Sequence, residues 1–478
     1  MSSYSYYDLD NSLYDSMAGR HPLKDAPSNR GKSHFTNASR SRIASMTSSN
    51  QDAIMRAAAG AIATAPSSSC LSPPPPDFIR LQSGQVPGSI ASTAQLATTI
   101  AAELKDKVVD VGSTFIDRLF PENSAPFPIG SALFSCLHKE GIFNRAQNCF
   151  IPPHDFQEAT VCQWFNDIGR AMESASGMQT QRRWWFGTGS LPPSGSDYGF
   201  KPDLVLLDQS YYNTLSQGTR ISWFFVRAFA EVTAEKTPPA RMRQTINTKS
   251  YVMSACQLDR RFTLALSLSG SCTFTFTLTD HEGQVRFSGT ALSGGDKDNA
   301  TIFLRILSHL MFGQLSAIGL DTNFTRDPDT GRLTGVSVGD RSFRLEKRIY
   351  TADGMLGRNT KVWTVSSKGR EFIMKDSWVR VAQGQSEATY LETMLGHDDI
   401  QGFVPTIECG GDVVIDGQTD WTTAYRGDAV GPPHGRRVHR RIVTTPIGKP
   451  ITRFKSKKEL ISVLMDIIRS ALPERRVW

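Results

Sequence analysis

The stretch GRNTKVWTVSSKGREFIMKDSW, residues 357–378, decides how the last third of this chain folds. Gly357-Arg358-Asn359-Thr360 reads as a turn that leads into a strand over 361–367. A second strand, REFIMKDSW, follows over 370–378. Lys375 stands at the end of the apolar run of that second strand, beside a Gly-bearing hairpin. Such an arrangement holds nucleotide phosphates: backbone N–H groups approach from the hairpin, and the ammonium pairs with phosphate oxygens. An acidic residue on the next helix would orient the lysine. That helix fits 385–395, where Glu387 and Glu392 are the choices.

Outward from this stretch the period-two pattern continues. SFRLEKRIY (342–350) reads as a preceding strand, and two further strands are expected over 412–416 and 438–444. A helix covers 457–472. Three strands, a helix and two more strands make a small antiparallel-sheet-plus-helix unit over 341–478. The charged, Gly-bearing stretch DTNFTRDPDTGRLTG places a linker at 321–340. Upstream, QLATTIAAELKDKVVDVGSTFIDRLF (95–120) repeats apolar residues every three to four positions, as one amphipathic helix does. A second helix is expected over 156–173. Apolar or alternating runs follow at 202–208, 223–235, 261–270, 272–280 and 283–292. Asp280-His281-Glu282-Gly283 makes a hairpin turn, and an apolar helix closes the series at 300–313. Residues 95–320 thus read as an α/β accessory domain, and the chain as a whole as α+β.

The 478 residues carry a formal net charge of +7, with 39% hydrophobic and 21% charged residues, which allows a packed core but not one that uses the whole chain. Residues 1–94 are rich in Ser, Ala and Pro, with SSSCLSPPPP at 67–76. Such a segment cannot bury enough surface to offset its ordering entropy, so disorder is expected there, with one short helix at 51–64. No apolar run approaches the ~20 residues that span a bilayer. Asp8, Asp10 and Asp15 argue against a secretory signal or a transit peptide. Seven widely spaced cysteines, with no CxxC, read as reduced thiols. An intracellular protein, cytoplasmic or nuclear, with no membrane partner is the expectation.

Five blocks carry a resemblance. GRNTKVWTV (357–365), FIMKDSW (372–378), SEATYLETML (386–395), GFVP (402–405) and HRRIVTTPIGKPITRFKSKKELISVLMDIIRS (439–470) resemble, in order and spacing, the fungal-type protein kinase family. KPDLVL at 201–206, with the WFFV…E strand, resembles the domain that precedes the kinase there. The resemblance implies a protein-kinase-like small lobe that takes ATP. Gly357 and Thr360 would belong to the phosphate-binding hairpin, Lys375 would be the nucleotide lysine, and Glu387, ahead of Glu392, its helix partner. The strand over 438–444 would lead to the hinge, and the helix over 457–472 would begin the large lobe. Asn359 replaces the family's second glycine, which lessens close backbone approach to phosphate.

A kinase also needs an H-R-D-x-x-x-x-N loop and a later D-F-G. The nearest match is His439-Arg440-Arg441, with Arg441 in the base position and Pro446 in the Asn slot. Without a positioned base and Mg²⁺ ligands, phosphoryl transfer loses most of its electrostatic stabilisation. The expectation is a relative whose ATP-dependent transfer to protein is implied by resemblance but is incomplete here, with a small lobe, no complete large lobe and no Mg²⁺ held by the chain alone. A non-catalytic binding or scaffold module is the alternative, as is a nuclease-like domain.

Two further features bear on the alternatives. Asp203 in KPD and Glu231 in AEVT resemble the metal site of restriction-endonuclease-like folds, where carboxylates hold Mg²⁺ and a lysine stabilises charge at the attacked phosphate. Thr233 stands in the lysine slot, with Lys236 and Lys249 downstream, so the reading is a fold relic rather than an active nuclease. Residues 426–476 hold thirteen Lys and Arg against four acids, an excess larger than that of the whole chain. This tail reads as a solvated face. Nucleic acid or acidic phospho-groups are the partners it could take, alongside a protein partner or substrate.

Overall fold

The computed structural model describes residues 93–471, apart from 178–182, 216–218, 234–237, 271, 353, 382–385, 399–401, 428–435 and 450. The disorder expected over 1–94 lies outside the described residues except at Thr93 and Ala94, which open a helix, and the helix expected at 51–64 and Lys236 lie outside them as well. All described residues belong to one unit.

Val-, Leu- and Phe-rich runs before residue 320 pair into a mixed sheet. Its strands are β1 (Val108–Val111), β2 (Arg183–Gly187), β3 (Leu204–Asp208), β4 (Val226–Thr233), β5 (Thr263–Ser269), β6 (Thr273–Asp280) and β7 (Gly283–Ala291), in the spatial order β1-β7-β6-β5-β4-β3-β2. The longer helices are α1 (Thr93–Glu103), α2 (Glu158–Ser176), α3 (Pro239–Cys256) and α4 (Lys297–Phe312). β4 and β5 run parallel, which requires a crossover, and α3 makes it. The sequence of α3, PARMRQTINTKSYVMSAC, has no clear apolar stripe, so periodicity did not reveal it. α1 and α3 cover one face of the sheet, with Ile100 and Val252 near Phe229. α2 and α4 cover the other, with Phe165 and Phe303 near Trp185.

The stretch 95–120 is not one helix. α1 ends at Glu103, Asp106 adopts φ +60°, and residues 108–111 form β1, parallel to β7. Three valines in four residues favour the strand, and pairing to the sheet edge overrides the helical period.

A second sheet holds β8 (Phe324–Arg326), β9 (Leu333–Val338), β10 (Arg341–Thr351), β11 (Lys361–Ser367), β12 (Arg370–Arg380), β13 (Thr406–Asp412) and β14 (Arg437–Thr445). It is antiparallel throughout, in the order β8-β9-β10-β11-β12-β14-β13. α5 (Glu387–Leu395) connects β12 to β13, and α6 (Lys457–Ala471) ends the described chain. Residues 321–340, expected as a linker, supply β8 and β9 instead. The Asp327 carboxylate accepts from the Thr330 amide at 2.8 Å and Gly331 takes φ +68°, so the charged stretch is a hairpin turn rather than a tether. The strand expected over 412–416 lies earlier, at β13; Val414–Ile415 pairs instead with Gln418–Thr419.

One face of the second sheet packs Phe324, Trp363, Phe372 and Met374 into a core that Leu258 of the first module joins. Trp378 of β12 is counted in the core of the first module, with Phe262 and Tyr425. The two modules therefore share apolar surface.

Candidate functional site

Strand alternation divides β12 between two environments. Lys375, Ser377 and Val379 point into a cleft of about 380 Å³, while Met374, Asp376 and Trp378 point towards the first module. Glu387, Asp412, Arg440 and Ile442 also line the cleft. α5 starts where Ser386 caps it, its hydroxyl accepting from the Thr389 amide at 3.0 Å. That cap places Glu387 in the first turn, over Lys375. The Lys375 Nζ lies 3.0 Å from Oε1 and 2.8 Å from Oε2 of Glu387. Lys375 is buried, while the Glu387 side chain keeps 28% exposure, so the pair sits at the cleft wall. Glu392 is exposed and not part of the cleft. Across the cleft Arg440 Nε donates to Asp412 at 2.8 Å.

The hairpin over 352–360 joins β10 to β11. Gly357 takes φ +100° and Asn359 φ +43°, both in the region that favours glycine; asparagine is one of the few other residues that adopt it. Asn359 thus keeps the backbone that a glycine would have. Gly357 and Thr360 do not line the cleft: Thr360 is buried and its carbonyl accepts from the Ala352 amide at 2.8 Å. Arg358, between them, brings Nη2 to 4.0 Å from Glu387.

On the opposite face of β12 and β14 lies a buried charge network. His439 Nε2 donates to Asp376 at 2.8 Å and Nδ1 to Asp420 at 2.9 Å. Two carboxylate partners make the ring an imidazolium. Burial opposes that charge, but Asp376 and Asp420 outweigh it and lift His439 to about 9. Arg441 pairs with Asp376 at 3.0 Å and with Asp321 at 2.6 Å, and Arg261 of the first module pairs with Asp420 at 2.6 Å. Burial would raise Asp376, yet Arg441 and His439 hold it well below the usual carboxylate range. The solvated-face reading of 426–476 therefore fails at Arg426, Arg437 and Arg441, which are buried. Strand alternation turns Arg437 inward to the Trp378 carbonyl and Arg441 to Asp376, and Arg426, at the end of the short helix Thr422–Arg426, reaches Asp280. Lys449, Arg453, Lys455, Lys457 and Lys458 are exposed as expected.

The accessory carboxylates occupy a different setting. Asp203 accepts from the Val232 amide at 2.8 Å. Glu231 lies on β4, buried, 2.5 Å from Lys249 Nζ on α3. Positive charge thus reaches Glu231 from Lys249 and not from residue 233. Burial raises Glu231 to about 7, against the pull of Lys249. Among the described residues no group of three or more His, Cys, Asp or Glu could hold a metal ion. The described cysteines are free thiols, and no described helix is long and apolar enough to cross a membrane.

Sequence reading did not anticipate Asp376, Asp420 or His281 as partners. One signal was available: His439 and Arg441 stand two apart on a strand and so share a face. Their acidic partners lie far away in sequence and could not be read. A family model described as fungal protein kinase matches residues 201–472, more than half of the chain. No curated protein and no solved structure matches it.

Proposed function

The chain belongs to the fungal protein kinase family, and from that premise we propose that its second module binds ATP in the Lys375 cleft. In protein kinases a lysine on the third strand pairs with a glutamate on the following helix and with the nucleotide phosphates. The observation that supports the reading is the Lys375–Glu387 pair, 2.8 Å long at the wall of the cleft. β10, β11 and β12 are consecutive antiparallel strands, the lysine is on the third, and α5 follows. Glu387 fixes the ammonium, and the hairpin over 352–360 brings the Arg358 guanidinium to within 4.0 Å of Glu387 at the same wall.

The same reading assigns no catalytic base and no Mg²⁺ ligand to these residues. The His439-Arg440-Arg441 match is part of strand β14 and not a catalytic loop; Arg441 is paired there with two buried carboxylates, while Glu387 and Asp412 are engaged by Lys375 and Arg440. Nucleotide binding without phosphoryl transfer to protein is what the stretch supports. A restriction-endonuclease-like origin for the first module fits the placement of Asp203, Glu231 and Lys249, but a neutralised, buried Glu231–Lys249 pair suits a relic rather than a nuclease.

The test is calorimetric titration of the full chain with ATP. Lys375→Ala should weaken binding by about tenfold or more, since a charge-assisted contact contributes roughly 1.5–3 kcal/mol. Equal affinity with and without Lys375 overturns the reading.

A further inference from the structure

The β6–β7 turn does more than join two strands. Asp280 pairs with Arg426 at 2.5 Å, and Glu282 Oε1 accepts from the Arg437 amide at 2.8 Å. Both partners belong to the second module. His281, between them, meets the hairpin over 352–360. Its carbonyl accepts from the Gly357 amide at 2.8 Å. Its ring lies 3.3 Å from the Met355 carbonyl through Nδ1 and 3.3 Å from Asn359 Nδ2 through Nε2. The Asn359 amide nitrogen can only donate, so Nε2 accepts and Nδ1 carries the proton to Met355. Burial, helped by Lys361, keeps the ring neutral. From α1, Glu103 accepts from the Met355 amide at 3.1 Å.

We propose that His281 is a positioning residue for nucleotide binding: through His281, Asn359 and Glu103 the accessory domain holds the phosphate hairpin in its binding conformation. The proposal rests on the ATP reading above. A hairpin already ordered loses less conformational freedom when the nucleotide arrives, which tightens binding without a new contact to the ligand. The role of Asn359 then changes. Its left-handed backbone matches a glycine, and its side chain adds the link to His281 that glycine lacks.

Asn359→Gly is the clean variant, because glycine adopts φ +43° without strain and only the amide contact is removed. His281→Ala removes the ring, and His281→Gln retains one donor and one acceptor. Each full-length variant is titrated with ATP and with adenosine, and amide exchange is followed over 354–361. Asn359→Gly and His281→Ala should weaken ATP binding by roughly three- to tenfold, the worth of about one hydrogen bond. Adenosine affinity should hold, exchange at Met355 and Gly357 should quicken, and His281→Gln should recover most of the loss. ATP affinity unchanged or raised in Asn359→Gly overturns the proposal, and so does a matching loss for adenosine, which marks general structural damage. Should His281→Ala fail to fold, Asn359→Gly decides. Failure of the wild-type chain to bind ATP overturns the Lys375 reading and the His281 role together, whereas ATP binding that Asn359→Gly leaves intact removes the His281 role alone.

Discussion

Glu387 and Glu392 share a helix, yet only the first reaches Lys375. Five positions along an α-helix turn a side chain well away from the starting face, so one glutamate can sit over the strand and the other cannot. Glu387→Gln should therefore weaken ATP binding by severalfold, by removing the group that fixes the ammonium, while Glu392→Gln leaves it unchanged. Titration of the two variants side by side checks this. A loss with Glu392→Gln equal to that with Glu387→Gln would show that helix charge, not the ion pair, matters. The lysine was legible as a strand-end cation beside a Gly-bearing turn. The residues alone left its partner open between Glu387 and Glu392, and only the family resemblance put Glu387 first, because two acids on a short helix differ only in which way the helix is rotated against the sheet, and the cap at Ser386 sets that.

At the scale of elements, β14 shows how alternation sorts charge. Arg440 faces the cleft and Asp412, while His439 and Arg441 face buried carboxylates. The folded His439 lies near 9 against an ordinary 6.5, so its contribution to stability is complete below pH 6.5 and is lost as pH rises through 9. Asp376 and Asp420 are depressed, so theirs is present above the ordinary carboxylate range and is lost as pH falls. Denaturant unfolding should show greatest stability between those limits and a fall from pH 6.5 to 9; a flat profile over that range in wild type, matching His439→Ala, counts against the network. Asp376→Asn should destabilise by about 3–5 kcal/mol, because it strands buried cations. On β4 and α3 the Glu231–Lys249 pair is similarly self-contained. Incubation of the chain with plasmid DNA and Mg²⁺ should produce no nicking; cleavage abolished by Asp203→Ala and Glu231→Ala would reverse this assignment.

The two sheets behave as parts of one molecule. Trp378 stacks on His439 with ring centroids 4.6 Å apart and lies 5.0 Å from His281, and Arg326 forms an ion pair with Asp259 across the modules. An excised 321–471 would expose Trp378 to water and leave Asp420 without Arg261. Calorimetry should show one cooperative transition for 93–471 and none for 321–471; a cooperative melt of the shorter piece would refute the shared core. α6 adds a surface feature, since Ile461, Leu464, Met465 and Ile468 are exposed on it. Exposed apolar patches promote association. Ile461→Lys with Ile468→Lys should reduce self-association in sedimentation at high protein concentration, and an unchanged profile would exclude the helix as its cause.

What the sequence determined by itself is local. Period-two alternation located β10, β11 and β12, the Asp280–Gly283 turn was readable from its residue types, and the order of five short blocks pointed to the family that matches residues 201–472. These signals need only neighbours a few positions apart. Tertiary structure decided the rest. β1 broke a helical pattern because a sheet edge was there to receive it, and 321–340 became strands because a neighbouring strand awaited them. Lys249 reached Glu231 because α3 crosses over the sheet, and His281 reached Asn359 because one module's turn docks on the other's hairpin. Contacts of this kind join residues distant in sequence, and no local pattern records which of many charged or polar side chains the fold will bring together.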